Sequence, residues 1–293
     1  MSEKNTHGAG EKNPFPGEPN TGHFWDKNIR ELTNQPPKWW IIGFHAGWIF
    51  VLLYFVAYPS IPLIASHTIG LLHWTSIGEY QKDLKEIQQI RQPYEDKIKS
   101  MSAGDILKDK DLSAYAQRSG KILFGDNCAA CHGTNGAGNV DFPILADDDW
   151  LYGGTIEKIQ ETITKGRAGM MLAFGKQLPP KDVEHLADYV LAMSEGKQAA
   201  DPEGQKLFAT ATCTACHGPE GKGNQMLGSA NLTDKIWRFK YGKEEIQRTI
   251  THGVNFPADS ETRVAQMPAW GTRLSASDIK KLAVFVHELG GGK

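Results

Sequence analysis

Two five-residue strings, CAACH at Cys128–His132 and CTACH at Cys213–His217, use up all four cysteines of the chain. On one helical turn the two thiols of such a string can add to the two vinyl groups of a haem. The adjoining histidine then lies under the ring and ligates the iron, so Cys-x-x-Cys-His is read as c-type haem attachment. A zinc ribbon also uses Cys-x-x-Cys pairs, but its pairs stand about 15–20 residues apart, far closer than these. A thioredoxin-like redox pair asks for a βαβ setting, and the flanks here read as helical and glycine-rich. The strings therefore predict two covalently bound haem c groups, attached through Cys128 and Cys131 and through Cys213 and Cys216. His132 and His217 are the proximal ligands in this reading. Neither zinc nor disulfide is expected.

The strings sit at matching places in an internal repeat. Gly120-Lys121-Ile122-Leu123-Phe124 matches Gly204-Gln205-Lys206-Leu207-Phe208, and Leu145, Asp147 and Trp150 match Leu232, Asp234 and Trp237. EKIQETITKG (157–166) matches EEIQRTITHG (244–253), and LPPKDVEHLADYV (178–190) matches LSASDIKKLAVFV (274–286). Each unit reads as a helix entering the haem motif, a loop, a middle helix, a methionine-bearing loop and a closing helix. The expected organisation is two tandem domains of one fold, 112–197 and 198–293, joined through the polar stretch 195–204.

A second strong ligand closes a haem iron for electron transfer, and His/Met ligation raises its potential. In the second repeat the candidate is Met267, in QMPAWG just before the closing helix, where the following proline holds the chain extended. Met226 follows its attachment motif too closely to reach over the other haem face. In the first repeat the same place reads GRAGMMLAFG; Met171 aligns with Met267, with Met170 as the alternative. Each methionine is expected to serve the haem of its own repeat. Trp150, Trp237, Tyr152, Phe142 and Phe239 are candidates to pack on the rings. Arg167 suits either a haem propionate or an ordinary surface salt bridge.

Between Trp39 and Gly78 there is no Asp, Glu, Lys or Arg. Residues 39–58 form an apolar run of about 20 that ends at Pro59, enough to span roughly 30 Å as a helix, the thickness of a bilayer core. Trp39 and Trp40 at one end and Tyr54 and Tyr58 near the other suit interfacial aromatic belts. A cleaved signal peptide fits poorly, because the run is long, starts late and lacks a small-x-small site after it. Lys27, Arg30 and Lys38 precede the span and the next basic residue is Lys82, which places the N-terminus in the cytoplasm and the rest outside. Residues 1–38 read as a cytoplasmic tail whose first 22 residues are too polar to order themselves. Residues 59–111 read as a periplasmic interfacial segment and helical stalk, with 61–78 on the membrane surface or as a second span. The stalk is polar, kinked or ended at Pro93. His45, the ionisable group in the span, carries either a functional role or a hydrogen bond to a neighbouring subunit. The fold class expected is all-α, one N-terminal transmembrane helix followed by two class I cytochrome c domains. Net charge of -2 gives no push towards nucleic acid.

The order of these features resembles the diheme subunit III of the cbb3-type cytochrome c oxidases, the CcoP or FixP family. The resemblance runs from about Phe24 to Leu289 and rests on the span that opens WW and closes YP, on HWTSIGEYQKD, CAACHG, FPILADDDWLYGG and TITKGRAG-M, and on NLTD-x-x-W with QMPAW. MMLAF departs from the family's usual Met-Pro-Ala. The resemblance implies a subunit of a proton-translocating haem–copper terminal oxidase in a bacterial inner membrane. This chain would accept electrons from a soluble periplasmic cytochrome c and pass them to a monohaem subunit and the haem b/copper catalytic subunit, itself holding no O2-reducing site. The alternatives are a membrane-anchored diheme cytochrome serving a periplasmic dehydrogenase, and a diheme peroxidase with one open iron.

Overall fold

Pro37 cannot donate a backbone hydrogen bond and has φ fixed near the helical value, so it starts a helix; α1 follows it as Lys38–Ala57. The helix stops where Tyr58 turns extended ahead of Pro59 (φ -116, ψ 160), as a residue before proline should. The computed structural model describes residues 17–25, 29–197 and 201–291. None of the residues of α1 is buried, and it is the one described helix long and apolar enough to cross a bilayer. Apolar surface on every side calls for an apolar surrounding.

The described part of the chain forms two units, one ending at Ile87 and the other starting at Gln88. In the first, Asn20–Trp25 (β1) pairs antiparallel with Ile29–Leu32 (β2), Trp25 opposite Ile29. This hairpin departs from the all-α expectation, and its Thr, Phe, Trp and Ile are strand-favouring types. The expected polar tail lies, over residues 1–16, outside the described residues. After α1 the chain folds back on the helix end. Leu71 and Leu72 donate backbone bonds to the Val56 and Ala57 carbonyls (2.9 and 3.0 Å), and Trp74 meets Tyr58 edge-on at 5.8 Å. Residues 61–75 contain no helix, so the described chain offers no second span there.

Helix α2, Ser76–Ser100, carries Pro93 in its interior and runs on past it. The expected break fails because tertiary contacts outweigh one lost backbone bond. Ile98 is fully buried, Tyr115 donates to Glu95 at 2.6 Å, and the Lys280 ammonium donates to the Ile98, Lys99 and Met101 carbonyls at the helix end.

Among the described residues, nine further α-helices follow. They are α3 (Ala103–Lys108), α4 (Lys110–Asn127), α5 (Ala129–His132), α6 (Ile156–Lys165), α7 (Pro180–Ser194), α8 (Pro202–Thr210), α9 (Cys213–His217), α10 (Lys243–His252) and α11 (Ala276–His287). Side-chain caps fix several starts: Asp109 accepts from Asp111 and Leu112, Asp201 from Gly204, and Ser275 from Asp278.

Neither core is drawn from one repeat. The first joins Leu112, Ala116 and Phe124 of α4 and Ile156, Ile159 and Ile163 of α6 to Ile279, Leu282 and Phe285 of α11. The second joins Phe174 and Val183, Leu186 and Val190 of α7 to Phe208 of α8 and Ile246 and Ile250 of α10. The two repeats have exchanged closing helices, so the boundaries 112–197 and 198–293 mark sequence units and not closed cores. The reason is local. Only seven residues of sequence, 195–201, separate α7 from α8, and the two helices pack with Gly204 against the His185 carbonyl, where a Cβ would collide. With α7 taken, α4 receives α11, and Gly120 lies against the Lys281 carbonyl in the same way.

The two glycines of α4 should respond oppositely to alanine. Gly120→Ala is expected to cost about 1–3 kcal/mol through overpacking. Gly125→Ala, with nothing within 4 Å of its added methyl, should gain about 0.5–1 kcal/mol from backbone entropy. Denaturant unfolding of the detergent-solubilised full chain reads both, and equal effects would contradict the exchanged packing.

Candidate haem sites

Each attachment histidine sits on a one-turn helix closed by a glycine of positive φ, Gly133 (72°) after α5 and Gly218 (76°) after α9. That positive-φ exit turns the chain into the loop whose carbonyls meet the histidines. His132 Nδ1 meets the Pro143 carbonyl at 3.1 Å and His217 Nδ1 the Ala230 carbonyl at 2.9 Å. A carbonyl only accepts, so Nδ1 carries the proton and Nε2 is left as the free donor pair. Burial lowers both histidine pKa values, only partly opposed by the carbonyl bonds, which keeps the rings neutral and able to ligate a metal.

All four cysteines are free thiols. Burial pushes Cys128 up to about 11 and raises Cys213, the opposite of the activation seen in redox-active thiol pairs. Among the described residues no cluster of three or more His, Cys, Asp or Glu could hold a bare metal ion. The donor set is one neutral imidazole beside two thiols, twice over, which suits c-type haem. Two buried donors without partners among the described residues point the same way, Trp237 Nε1 and Arg238 Nε. Such atoms are costly unless a partner is supplied, and haem propionates are acceptors of the right kind.

The methionine loops follow the exchanged cores. Met267 packs in the first cluster with Cys128, Ala129 and Trp150, and Met171 in the second with Cys213, Leu232 and Trp237. This corrects the expectation that Met267 faces His217 and that Met170 or Met171 faces His132. The two loops run antiparallel to each other. Arg167 and Met267 exchange backbone bonds of 2.9 and 2.8 Å, and Met171 and Val254 exchange bonds of 2.9 and 3.0 Å. Each loop then ties to the middle helix of the other repeat, Phe174 and Gly175 to the Ile250 and Thr251 carbonyls, Trp270 and Gly271 to those of Ile163 and Thr164. Asn255 locks the crossing by donating to Gly169 and Ala265 carbonyls and accepting from Ala265 N. Met170 is 61% exposed and Met226 93% exposed, whereas Met171 packs against the second cluster.

Of the aromatic candidates, Trp150 and Trp237 pack against the two hydrophobic clusters, Trp150 with its indole bonded to the Asp147 carbonyl at 3.0 Å. Tyr152 and Phe239 instead carry arginines, Arg167 and Arg263, each 4.5 Å above its ring. Arg167 also bonds Thr162 (2.9 Å) and reaches Glu161, so it is engaged within the protein. Phe142 is 38% exposed, and His45 lies exposed on α1 beside Phe44. Sequence reasoning passed over Asn255 and Arg238. The signal for Arg238 was present, a cation where the first repeat has Leu151.

The description of the cbb3-type cytochrome c oxidase subunit III matches residues 115–190 and 199–286, and that of the N-terminal domain of the cbb3 cytochrome oxidase protein FixP matches residues 17–65. Curated relatives match along almost the whole chain. The cbb3-type cytochrome c oxidase subunit FixP of Azorhizobium caulinodans is 44% identical over 94% of both chains. FixP of a Bradyrhizobium species is 42% identical over 94% of this chain and 96% of its own. Subunit CcoP of Azospirillum brasilense is 38% identical over 97% and 99%. The chain belongs to the cbb3-type cytochrome c oxidase subunit III family, FixP/CcoP. Membership carries c-type haem binding with it, in agreement with the donor set.

A FixP/CcoP chain of this sequence also gathers acid where its repeats meet. Burial raises Asp149 to about 6, helped by Asp234 and Asp147. A raised carboxylate contributes stability that is full below its unfolded value, near 3.8, and lost as pH rises through about 6. Asp149→Asn should therefore raise the melting temperature at pH 8, with the difference from the parent vanishing below pH about 4. A gain that persists unchanged at low pH would contradict this.

Proposed function

We propose that this chain is the electron-relay subunit of a cbb3-type haem–copper oxidase. It takes electrons from a soluble periplasmic cytochrome c and passes them to the monohaem and catalytic subunits. The observation that carries the reading is the pair of neutral histidines, each with Nδ1 held by a carbonyl and each in an attachment motif that shares a hydrophobic cluster with one methionine, within a chain that matches FixP and CcoP subunits over almost its whole length. Haem supplies a one-electron couple when bound. The protein's part is to attach it, ligate it and keep it dry. Cys128 and Cys131 hold one haem and Cys213 and Cys216 the other. The ligand pairs are His132 with Met267 and His217 with Met171, because those are the methionines packed beside each attachment site. Two methionine-closed irons suit transfer of electrons and not binding of oxygen or peroxide.

Helix α1 anchors the chain in the inner membrane, with residues 1–38 cytoplasmic and the haem unit periplasmic. Lys38 on the near side and the lack of any basic residue after it until Lys82 support that orientation.

Two experiments test this. A tagged chain purified in mild detergent should retain covalent haem after denaturing electrophoresis and bring down a b-haem and copper core. Capture of a periplasmic dehydrogenase in its place would overturn the oxidase reading. For the ligands, a chain with Cys128→Ala and Cys131→Ala leaves the His217 haem alone. Adding Met171→Ala should abolish its far-red methionine–iron band, and adding Met267→Ala should leave that band in place. The reverse result would return each methionine to its own repeat.

A further inference from the structure

The two haem sites are related by the repeat, so a difference between them must come from positions where the repeats differ. One lies directly beside the tryptophans. The first repeat reads Trp150-Leu151-Tyr152 and the second Trp237-Arg238-Phe239. The other arginines here are matched and engaged. Arg167 and Arg263 stack on Tyr152 and Phe239, and each reaches a glutamate and a threonine, Glu161 with Thr162 and Glu245 with Thr249. Arg238 has no counterpart. Its Nε is buried and lacks a hydrogen-bond partner among the described residues, and its guanidinium carbon lies 5.9 Å from the Phe239 ring centroid.

Arg238 also belongs electrostatically to the other repeat. Burial lowers its pKa, opposed by the carboxylate of Asp141, and its own charge in turn bears on His132. Asp141 lies in the loop that follows the first attachment motif. Leu151, in the mirrored position, lines a cavity with Lys222, Gly223 and Asn224 of the loop after the second motif. Each residue thus faces the haem loop of the opposite repeat, and one of the two is a cation.

We propose that Arg238 is a positioning residue for the haem attached at Cys128 and Cys131: its guanidinium holds a propionate of that haem across the repeat boundary and raises that haem's potential above the one its Leu151-faced twin would otherwise share. A cation near the ring favours the reduced state, which carries one positive charge fewer. A guanidinium fork on a carboxylate is also stronger and better oriented than a point charge. A partly desolvated location strengthens the effect. This makes the His132 haem the thermodynamic sink of the pair. The inference rests on the two-haem reading above.

The test is redox titration of the full-length protein, resolved into two waves. Met267→His and Met171→His mark which wave belongs to which haem. Arg238→Gln should lower the wave that Met267→His also displaces, leave the other unmoved, and keep both methionine–iron bands; Arg238→Lys should recover most of the shift. Two waves that both stay put, that fall together, or of which only the one marked by Met171→His moves, would overturn the proposal. A parent protein whose two haems titrate as a single wave would overturn the proposal, and one that holds fewer than two covalent haems per chain by pyridine haemochrome assay would overturn the two-haem reading instead. Should Arg238→Gln take up no haem, Arg238→Lys is read by redox-difference infrared spectroscopy. There a displaced propionate carboxylate band supports the contact and an unchanged band overturns it.

Discussion

The pairing of the two methionine loops is the interaction on which the rest of the helical unit depends. Arg167 with Met267 and Met171 with Val254 form two reciprocal sets of backbone bonds, so each loop is the other's partner strand. Neither can be positioned unless both are. Gly166 and Gly253, with φ of 70° and 69°, let this happen, since a Cβ at either would strike the carbonyl of Met267 or Met171. Once the loops are crossed, each closing helix must continue onto the far side, α11 against α4 and α7 against α8. The two cores then share one fate, and the unit from Gln88 onward is held together as a single body by contacts that run between its repeats.

That arrangement has an electrical consequence. Crossing the loops brings side chains of one repeat beside the attachment site of the other, and so any difference between repeats acts across the boundary. Most positions are matched, including the arginine–aromatic stacks over Tyr152 and Phe239. Asp147, Asp149 and Asp234 gather where the repeats meet, and burial, together with the charges of Asp234 and Asp147, raises the Asp149 pKa. Arg238 against Leu151 is the one unmatched cation among these inward positions.

The end of α2 shows the same economy of contacts. Lys281 is 6% exposed and bonded to Glu95 and Asp278 (3.0 and 2.8 Å), while Lys280 covers three carbonyls that would otherwise be unpaired at the helix terminus. A buried ammonium persists only with such partners. Besides Tyr115 of α4, the residues that secure the C-terminal end of the stalk helix sit on α11, which the loop crossing has already delivered to the first core.

The chemistry was legible in the residues themselves. CAACH and CTACH name their ligand because thiol spacing on one turn fits two vinyl groups. The uncharged stretch after Lys38 names its solvent because its length and its lack of charge are local properties. The two-fold repeat was equally plain, as were the helices, which follow from periodicity and caps. The β1–β2 hairpin and the passage of α2 through Pro93 were not, since short strands and tolerated prolines depend on pairing and packing outside their own windows. Which helix closes which core was beyond reach for a deeper reason. LPPKDVEHLADYV and LSASDIKKLAVFV present nearly the same apolar face, so either fits either groove, and pattern alone cannot tell a contact within a repeat from one between repeats. Only chain geometry separates them. The short link from α7 to α8 makes the neighbour in sequence the partner in space, and that decides the destination of α11, Met267 and Met171.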